Sequence, residues 1–191
     1  MTTNLHPDAQ LLDRESAALV VLDLQAKILP AVVEPQRLIR NTQLLLRLAQ
    51  VLGLPTVLTS HYSKGLGSIV PEITQFAPGI EPLEKTSFGC FGEPDFLRHL
   101  KQRAPQARFL LVTGIECHVC VTQTVLGALA AGYLVHVAAD ATSSRTPENW
   151  QIGLKRMERA GAVISSTEMA VYELLGRSGT PEFKEILPLL K

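Results

Sequence analysis

Apolar residues in this chain fall into two kinds of run that alternate from one end to the other. The first kind is short and nearly unbroken: residues 17–24 (AALVVLDL), 55–60 (PTVLTS), 108–115 (RFLLVTGI) and 134–139 (LVHVAA), with shorter members at 80–83 and 162–164. A run without polar alternation reads as a strand buried on both faces. The second kind is longer and spaced for a helix. Pro35 opens one over residues 35–52, with Leu38, Leu45, Leu48 and Leu52 on one face and Gly53 as its stop. Further helices are predicted over 93–103, from about 116 to about 132, and from Thr146-Pro147-Glu148 with Thr146 as cap. Another opens at Ser165, whose spacing to Glu168 is that of a capping box, and ends at Gly176; Thr180-Pro181-Glu182 opens the last. A polar lead-in with a short helix precedes the first strand.

Strands alternating with helices imply a parallel sheet with right-handed crossovers and helices on both faces. The predicted fold is therefore α/β: a three-layer α/β/α sandwich, Rossmann-like, with a parallel sheet of about six strands. No linker, repeat or low-complexity segment interrupts it, so residues 1–191 are expected to form a single domain. Side chains at the carboxyl ends of neighbouring parallel strands converge on one crevice, and chemistry is expected there.

Composition narrows the ligand. The chain is 46% hydrophobic and 19% charged with a formal net charge of zero, so it lacks the basic footprint of a nucleic-acid or anionic-membrane binder. A small-molecule substrate is expected, without nucleic acid or membrane. Three cysteines, two of them three residues apart, make no disulfide framework and suit a reducing compartment. No apolar run is long enough to span a bilayer, and the opening residues lack the basic and apolar regions of an export signal. A cytoplasmic location is expected.

Three strand ends carry reactive types: Asp23, Lys85 and Cys120. A thiol needs a base, a carboxylate can take its proton, and a cation stabilises the charged pair. Cys120 on the first turn of a helix sits near free N–H groups and the positive end of the helix dipole, which favours a thiolate. A packed core cysteine is the plainer alternative, and Asp23 could equally cap a turn and Lys85 be a solvated loop residue.

VLDLQ, EKTSFGCF and GIECHVCV, each at a strand end, resemble the isochorismatase-like cysteine hydrolase superfamily in order, spacing and placement. HYSKGLGSIVPE, DATSSR, RAGAVISSTEMAVYELLG and PEFKEI extend the resemblance, to the isochorismatase-domain-containing branch, over nearly the whole chain. It implies Asp23 as general base, Lys85 as its charged partner and Cys120 as nucleophile. It implies also a non-proline cis bond at Ile115-Glu116, with the N–H groups of Glu116 and Cys120 aimed at the oxyanion, and a homo-oligomer. The nicotinamidase-type relatives carry an aspartate and histidines for a metal where this chain has TSHYSKGLGS with His61 alone, so neither metal nor cofactor is expected. Isochorismatase proper does not need the nucleophilic cysteine; its presence points to the amide and imide hydrolases. Gln25, His61, Tyr62 and Phe88 flank the motifs and are nominated for the substrate pocket.

Two readings compete. Cys117-His118-Val119-Cys120 is a CxxC at a strand-to-helix junction, the form of a dithiol redox site, although a thioredoxin-like domain is shorter with a mixed sheet. Zinc through the same pair would need two more ligands, and Cys90 with His99 or His136 gives no recognised spacing. His118 is two residues from Cys120, shares no helix face with it, and reads as packed or exposed. Lys64-Gly65-Leu66-Gly67 reads as a turn, Asp140 has no GxGxxG before it, Ser143, Ser144 and Arg145 tie down a loop, and Trp150 is core or interface. A binding protein on the hydrolase fold is the remaining alternative.

Overall fold

The computed structural model describes residues 10–190. A six-stranded parallel sheet runs through it in the order β3-β2-β1-β4-β5-β6. The strands are β1 (Ala17–Leu22), β2 (Thr56–His61), β3 (Leu83–Lys85), β4 (Phe109–Gly114), β5 (Leu134–Thr142) and β6 (Val163–Ser165). The helices are α1 (Pro35–Leu52), α2 (Ser63–Leu66), α3 (Pro71–Thr74), α4 (Phe96–Arg103), α5 (Thr122–Ala130), α6 (Pro147–Arg159), α7 (Thr167–Leu175) and α8 (Pro181–Ile186).

Strand parity divides the core into two layers. Ala17, Leu19 and Val21 of β1, with Leu58, Phe109 and Leu111, face Leu38, Leu45 and Leu48 of α1 and Val171 and Leu174 of α7. Ala18, Val20 and Leu22, with Leu110, Val112, Val135 and Val137, face Phe96 and Leu100 of α4, Val125 of α5 and Met157 of α6. Every β1 residue is buried, as the unbroken apolar run requires. This is the predicted three-layer α/β/α sandwich. Among the described residues, no helix is long and apolar enough to cross a membrane.

Several boundaries move, each for a local reason. The third strand begins at Leu83 and not Ile80, because Pro82 has no N–H for the ladder; pairing starts with Thr59↔Leu83 and ends with His61↔Lys85. Helix α4 starts at Phe96 and not Glu93, whose carboxylate instead accepts from the Thr86 and Ser87 N–H groups at 2.7 Å each and from Ser87 Oγ at 2.9 Å. Those bonds, the backbone donors foremost, hold the Glu93 carboxyl down at about 2. Strand β5 continues past Ala139 because an irregularity in its pairing with β4 lets Thr142 sit opposite Gly114. The cap of α7 is Ser166, which accepts from the Met169 N–H, so Ser165 ends β6 and forms no capping box. Residues 14–16 form a turn, and the rest of the lead-in helix expectation falls largely on residues 1–9, outside the described residues.

At the other end of the sheet, His136 of β5 is 2% exposed, beside the Phe109 ring at 6.0 Å and 3.8 Å from Glu173. Burial pulls its pKa below the ordinary 6.5, with Glu173 and Gln10 opposing. The unfolded chain therefore takes up this proton first, and stability is lost as pH falls below 6.5 through the folded value. In urea unfolding at pH 7 and pH 5, the acid-side loss is expected to be smaller in His136→Gln than in the wild type; an unchanged loss would assign it elsewhere.

Candidate active site

The order of strands reverses between β1 and β4, and the crevice beyond their carboxyl ends is where the reactive groups gather. Asp23 follows β1 directly. Its φ of 58° ends the strand and turns the carboxylate across the end of β2. There Thr59, fully buried, donates to Asp23 Oδ1 at 2.7 Å, and its carbonyl accepts the Asp23 N–H at 3.2 Å. Lys85, the last residue of β3, places Nζ 2.6 Å from Asp23 Oδ2, with side chains 0% and 3% exposed. The same ammonium donates to the Phe88 carbonyl at 3.1 Å. Burial works against the charge on Lys85, yet its surroundings, the Asp23 carboxylate foremost, outweigh it and its pKa stands above the ordinary value. Both carboxylate oxygens of Asp23 are thus held.

From β4 the chain passes Gly114, at φ 121°, whose missing Cβ would lie 2.1 Å from the Leu22 carbonyl. Only glycine fits this crossing. The next peptide, Ile115-Glu116, is cis. A π-helical turn, Cys117–Val121, then leads into α5. The Glu116 carbonyl accepts from Val119 at 3.0 Å and from Val121 at 3.2 Å, skipping Cys120. Cys120 is 7% exposed and lines the crevice with Asp23. Its thiol is pushed up to about 12 by burial first, then by the charge of Asp23 and a hydrogen-bonding contact with it, against the pull of Lys85. This runs against the expectation that the helix start favours a thiolate: burial and the facing Asp23 carboxylate both favour the thiol.

The cleft over these groups has a volume of about 270 Å³ and is lined by Ile28, His61, Tyr62, Leu66, Phe88, Ile115, Glu116 and Val119 together with Asp23 and Cys120. His61 stacks on Phe88 with ring centroids 5.2 Å apart and 28° between planes. Its Nδ1 is buried with no hydrogen-bond partner among the described residues. Tyr62, 53% exposed, lays its ring over Gly65, where a Cβ would come within 2.5 Å of it. Of the four nominated pocket residues, His61, Tyr62 and Phe88 line the cleft. Gln25 does not. It is fully buried and braces a loop, donating to the carbonyls of His61 at 3.0 Å and Gly67 at 2.7 Å and accepting from the His61 N–H. The lining by Ile28, Leu66 and Val119 and the bond from Thr59 were not foreseen.

The CxxC cysteines face different surroundings. Cys117 is fully buried with Sγ 3.6 Å from the Trp150 carbonyl of α6, and α6 comes so close there that a Cβ on Gly153 would lie 3.0 Å from His118 Cα. Cys90 is the thiol that shares the electrostatic neighbourhood of Cys120, Asp23 and Lys85. His118 Nδ1 is 2.9 Å from Ser144 Oγ, and Arg145 bonds Glu116, so residues 143–145 do tie down the loop. Asp140 accepts from the Thr167 N–H at the start of α7 at 2.7 Å, and Trp150 Nε1 donates to Thr142 Oγ1 at 3.0 Å.

Fold and site together define a doubly wound α/β protein whose switch-point cleft holds a thiol, a carboxylate and a lysine from three strand ends. Residues 17–169 match the isochorismatase domain, and the chain belongs to the isochorismatase family, whose members are generally hydrolases. It is 38% identical to the secreted isochorismatase effector Isc1 of Phytophthora sojae over 92% of this chain and 85% of that one. It is 36% identical to rat isochorismatase domain-containing protein 2 over 93% of this chain and 82% of that one. Among solved structures it superposes on the MAR1 ribonuclease of Caenorhabditis elegans with a TM-score of 0.88 at 34% identity, covering 95% of this chain and 92% of that chain. For the Escherichia coli YcaC product, described as an octameric hydrolase of unknown specificity, the TM-score is 0.87 at 26% identity, covering 94% and 90%.

Proposed function

We propose that this chain is a cysteine hydrolase acting on a C–N bond of a small amide or imide. One observation carries the reading: Cys120 opens onto the same cleft as Asp23, whose carboxylate is oriented from both oxygens by Lys85 and Thr59. Asp23 takes the proton as Sγ attacks the substrate carbonyl, a step that must be coupled because the thiol holds its proton to about 12. The N–H groups of Glu116 and Cys120 meet the developing oxyanion. Collapse breaks the C–N bond, Asp23 returns the proton to the leaving nitrogen, and a thioester remains on Cys120. Water, giving a proton to Asp23, then attacks the thioester; the acid leaves and the proton returns to sulfur. Lys85 keeps Asp23 charged and in place between steps.

The intermediate is the test. Protein mixed with a panel of simple amides and quenched in acid is expected to show, by intact mass and peptide mapping, an acyl increment on Cys120. Release of ammonia or amine without any increment on Cys120, even under rapid quenching, would exclude the thioester route.

Thr59 gives a second expectation. Thr59→Val keeps the shape but removes the hydroxyl from Asp23 Oδ1, and a hydrogen bond to a charged group is worth about 1.5–3 kcal/mol. Turnover is expected to fall about tenfold or more, with Thr59→Ser recovering most of it; equal rates for the two variants would limit Thr59 to packing.

The dithiol reading gains nothing from Cys117, which lies under α6. A ribonuclease reading, taken from the name of the nematode protein, sits poorly with a chain of zero net charge and a cleft lined by two acidic residues and, among the described residues, no lysine or arginine. We extend the proposal to one domain, working as a homo-oligomer as the octameric bacterial neighbour does, in a compartment reducing enough to keep Cys120 free.

A further inference from the structure

We propose that the Glu116 side chain sets the charge selectivity of the cleft, admitting uncharged substrates with a compact apolar acyl group and turning carboxylates away. The chemistry of the substrate rests on the hydrolase reading above; the selectivity itself does not. Among the described residues lining the cleft, Ile28, Tyr62, Leu66, Phe88, Ile115 and Val119 are apolar or aromatic, and none is a lysine or arginine. A volume of about 270 Å³ falls just below the roughly 300–1,000 Å³ of drug-sized sites, so the occupant is small.

Two acidic residues, Asp23 and Glu116, line this space. The charge of Asp23 is met at 2.6 Å by Lys85, both side chains being out of water, and that ammonium is spent on Asp23 and on the loop carbonyls of Ser87 and Phe88. It has no donor to spare for a substrate carboxylate. Glu116 is held differently. Its Oε2 takes both the backbone N–H of Arg145 at 3.1 Å and Nε at 3.0 Å. The Glu116 side chain is 11% exposed, whereas that of Arg145 is 59% exposed. Water screens the cation far more than the anion, so the pair leaves a net negative field around Glu116, at the border of the cleft. A carboxylate entering there would lose its hydration, meet no cation and face Glu116. An uncharged amide gives up less hydration and meets no such repulsion, and the His61–Phe88 stack offers its acyl group a flat ring face.

Iodoacetamide and iodoacetate test this directly, because they differ in charge and both alkylate a thiolate by displacing iodide. Their rates at Cys120, followed by peptide mass spectrometry at about pH 8.5, are divided by their rates with 2-mercaptoethanol to cancel intrinsic reactivity. The wild-type protein is expected to favour iodoacetamide over iodoacetate by about tenfold more than the free thiol does. Glu116→Gln should lower that preference several-fold and Arg145→Gln should raise it. In the wild type it should shrink with added salt, which reads the field even if Glu116→Gln folds poorly. A wild-type preference equal to that of the free thiol, or a preference for iodoacetate, would overturn the proposal; so would variants that move it in the opposite directions. Since alkylation needs no turnover, failure to find an acyl intermediate would sink the hydrolase reading while leaving this result standing.

Discussion

Cys120→Ala protein is expected to fold normally and to hydrolyse amides at least about 10⁴-fold more slowly than the wild type. The substitution removes one sulfur from a residue that is 7% exposed at the cleft wall, so its effect on stability is small beside its effect on chemistry. Asp23→Asn should approach the same loss. A thiol held to about 12 supplies almost no thiolate at neutral pH, and the neutral amide of asparagine cannot take the proton. Because the two groups act in one step, the double variant should be little worse than either single one, in contrast to independent contributions, which would multiply. Cys117→Ala is the control and should stay within about twofold, since its sulfur faces Trp150 of α6. Rates of ammonia or amine release for the four variants and the wild type decide the matter. A Cys120→Ala protein within tenfold of wild type would end the nucleophile assignment, and a Cys117→Ala protein as slow as Cys120→Ala would reopen the dithiol reading.

Lys85→Met is expected to destabilise the fold by about 3–5 kcal/mol, read as a lower midpoint in urea. The pair it breaks has side chains 0% and 3% exposed, and removing the ammonium strands the Asp23 charge where water cannot reach it. Adding Asp23→Asn to Lys85→Met should recover much of the loss, because the double variant buries no charge. The pair's pH window follows from the raised pKa of Lys85. The stability it contributes is complete below the unfolded value of 10.5 and is lost only as pH rises through the higher folded value. A Lys85→Met cost below about 1 kcal/mol would mean that the pair is no stronger than a surface one.

Much of this architecture was legible because parallel strands buried on both faces write themselves as unbroken apolar runs, as residues 17–22 do. The strand ends were legible for the same reason, and with them the positions of Asp23 and Cys120. Register was not. That Thr59 lies opposite Leu22, and so reaches Asp23, depends on how β2 is slid against β1, and nothing local to residues 55–60 encodes it. Gln25 misled because it lies two residues from Asp23 in sequence, yet the turn at Asp23 sends it behind the loop to bond residues 61 and 67. The thiolate expectation failed on a balance that only three dimensions supply: the helix end acts on Cys120, but the depth of burial and the facing carboxylate come from elsewhere in the chain. Ile28, Leu66 and Val119 carried no signal beyond being apolar.

The strand order has a consequence for the chain as it is being made. β1 lies between β2 and β4, so when a ribosome has delivered residues 1–85 one edge of β1 is paired and the other, six buried positions long, has no partner until residues 109–114 emerge. At about 5–20 residues per second that is an interval of seconds in which an apolar, hydrogen-bond-ready strand edge is open to other nascent chains. Synonymous codon changes that slow translation between β3 and β4 would lengthen this exposure and lower the yield of folded protein without altering a single residue of it.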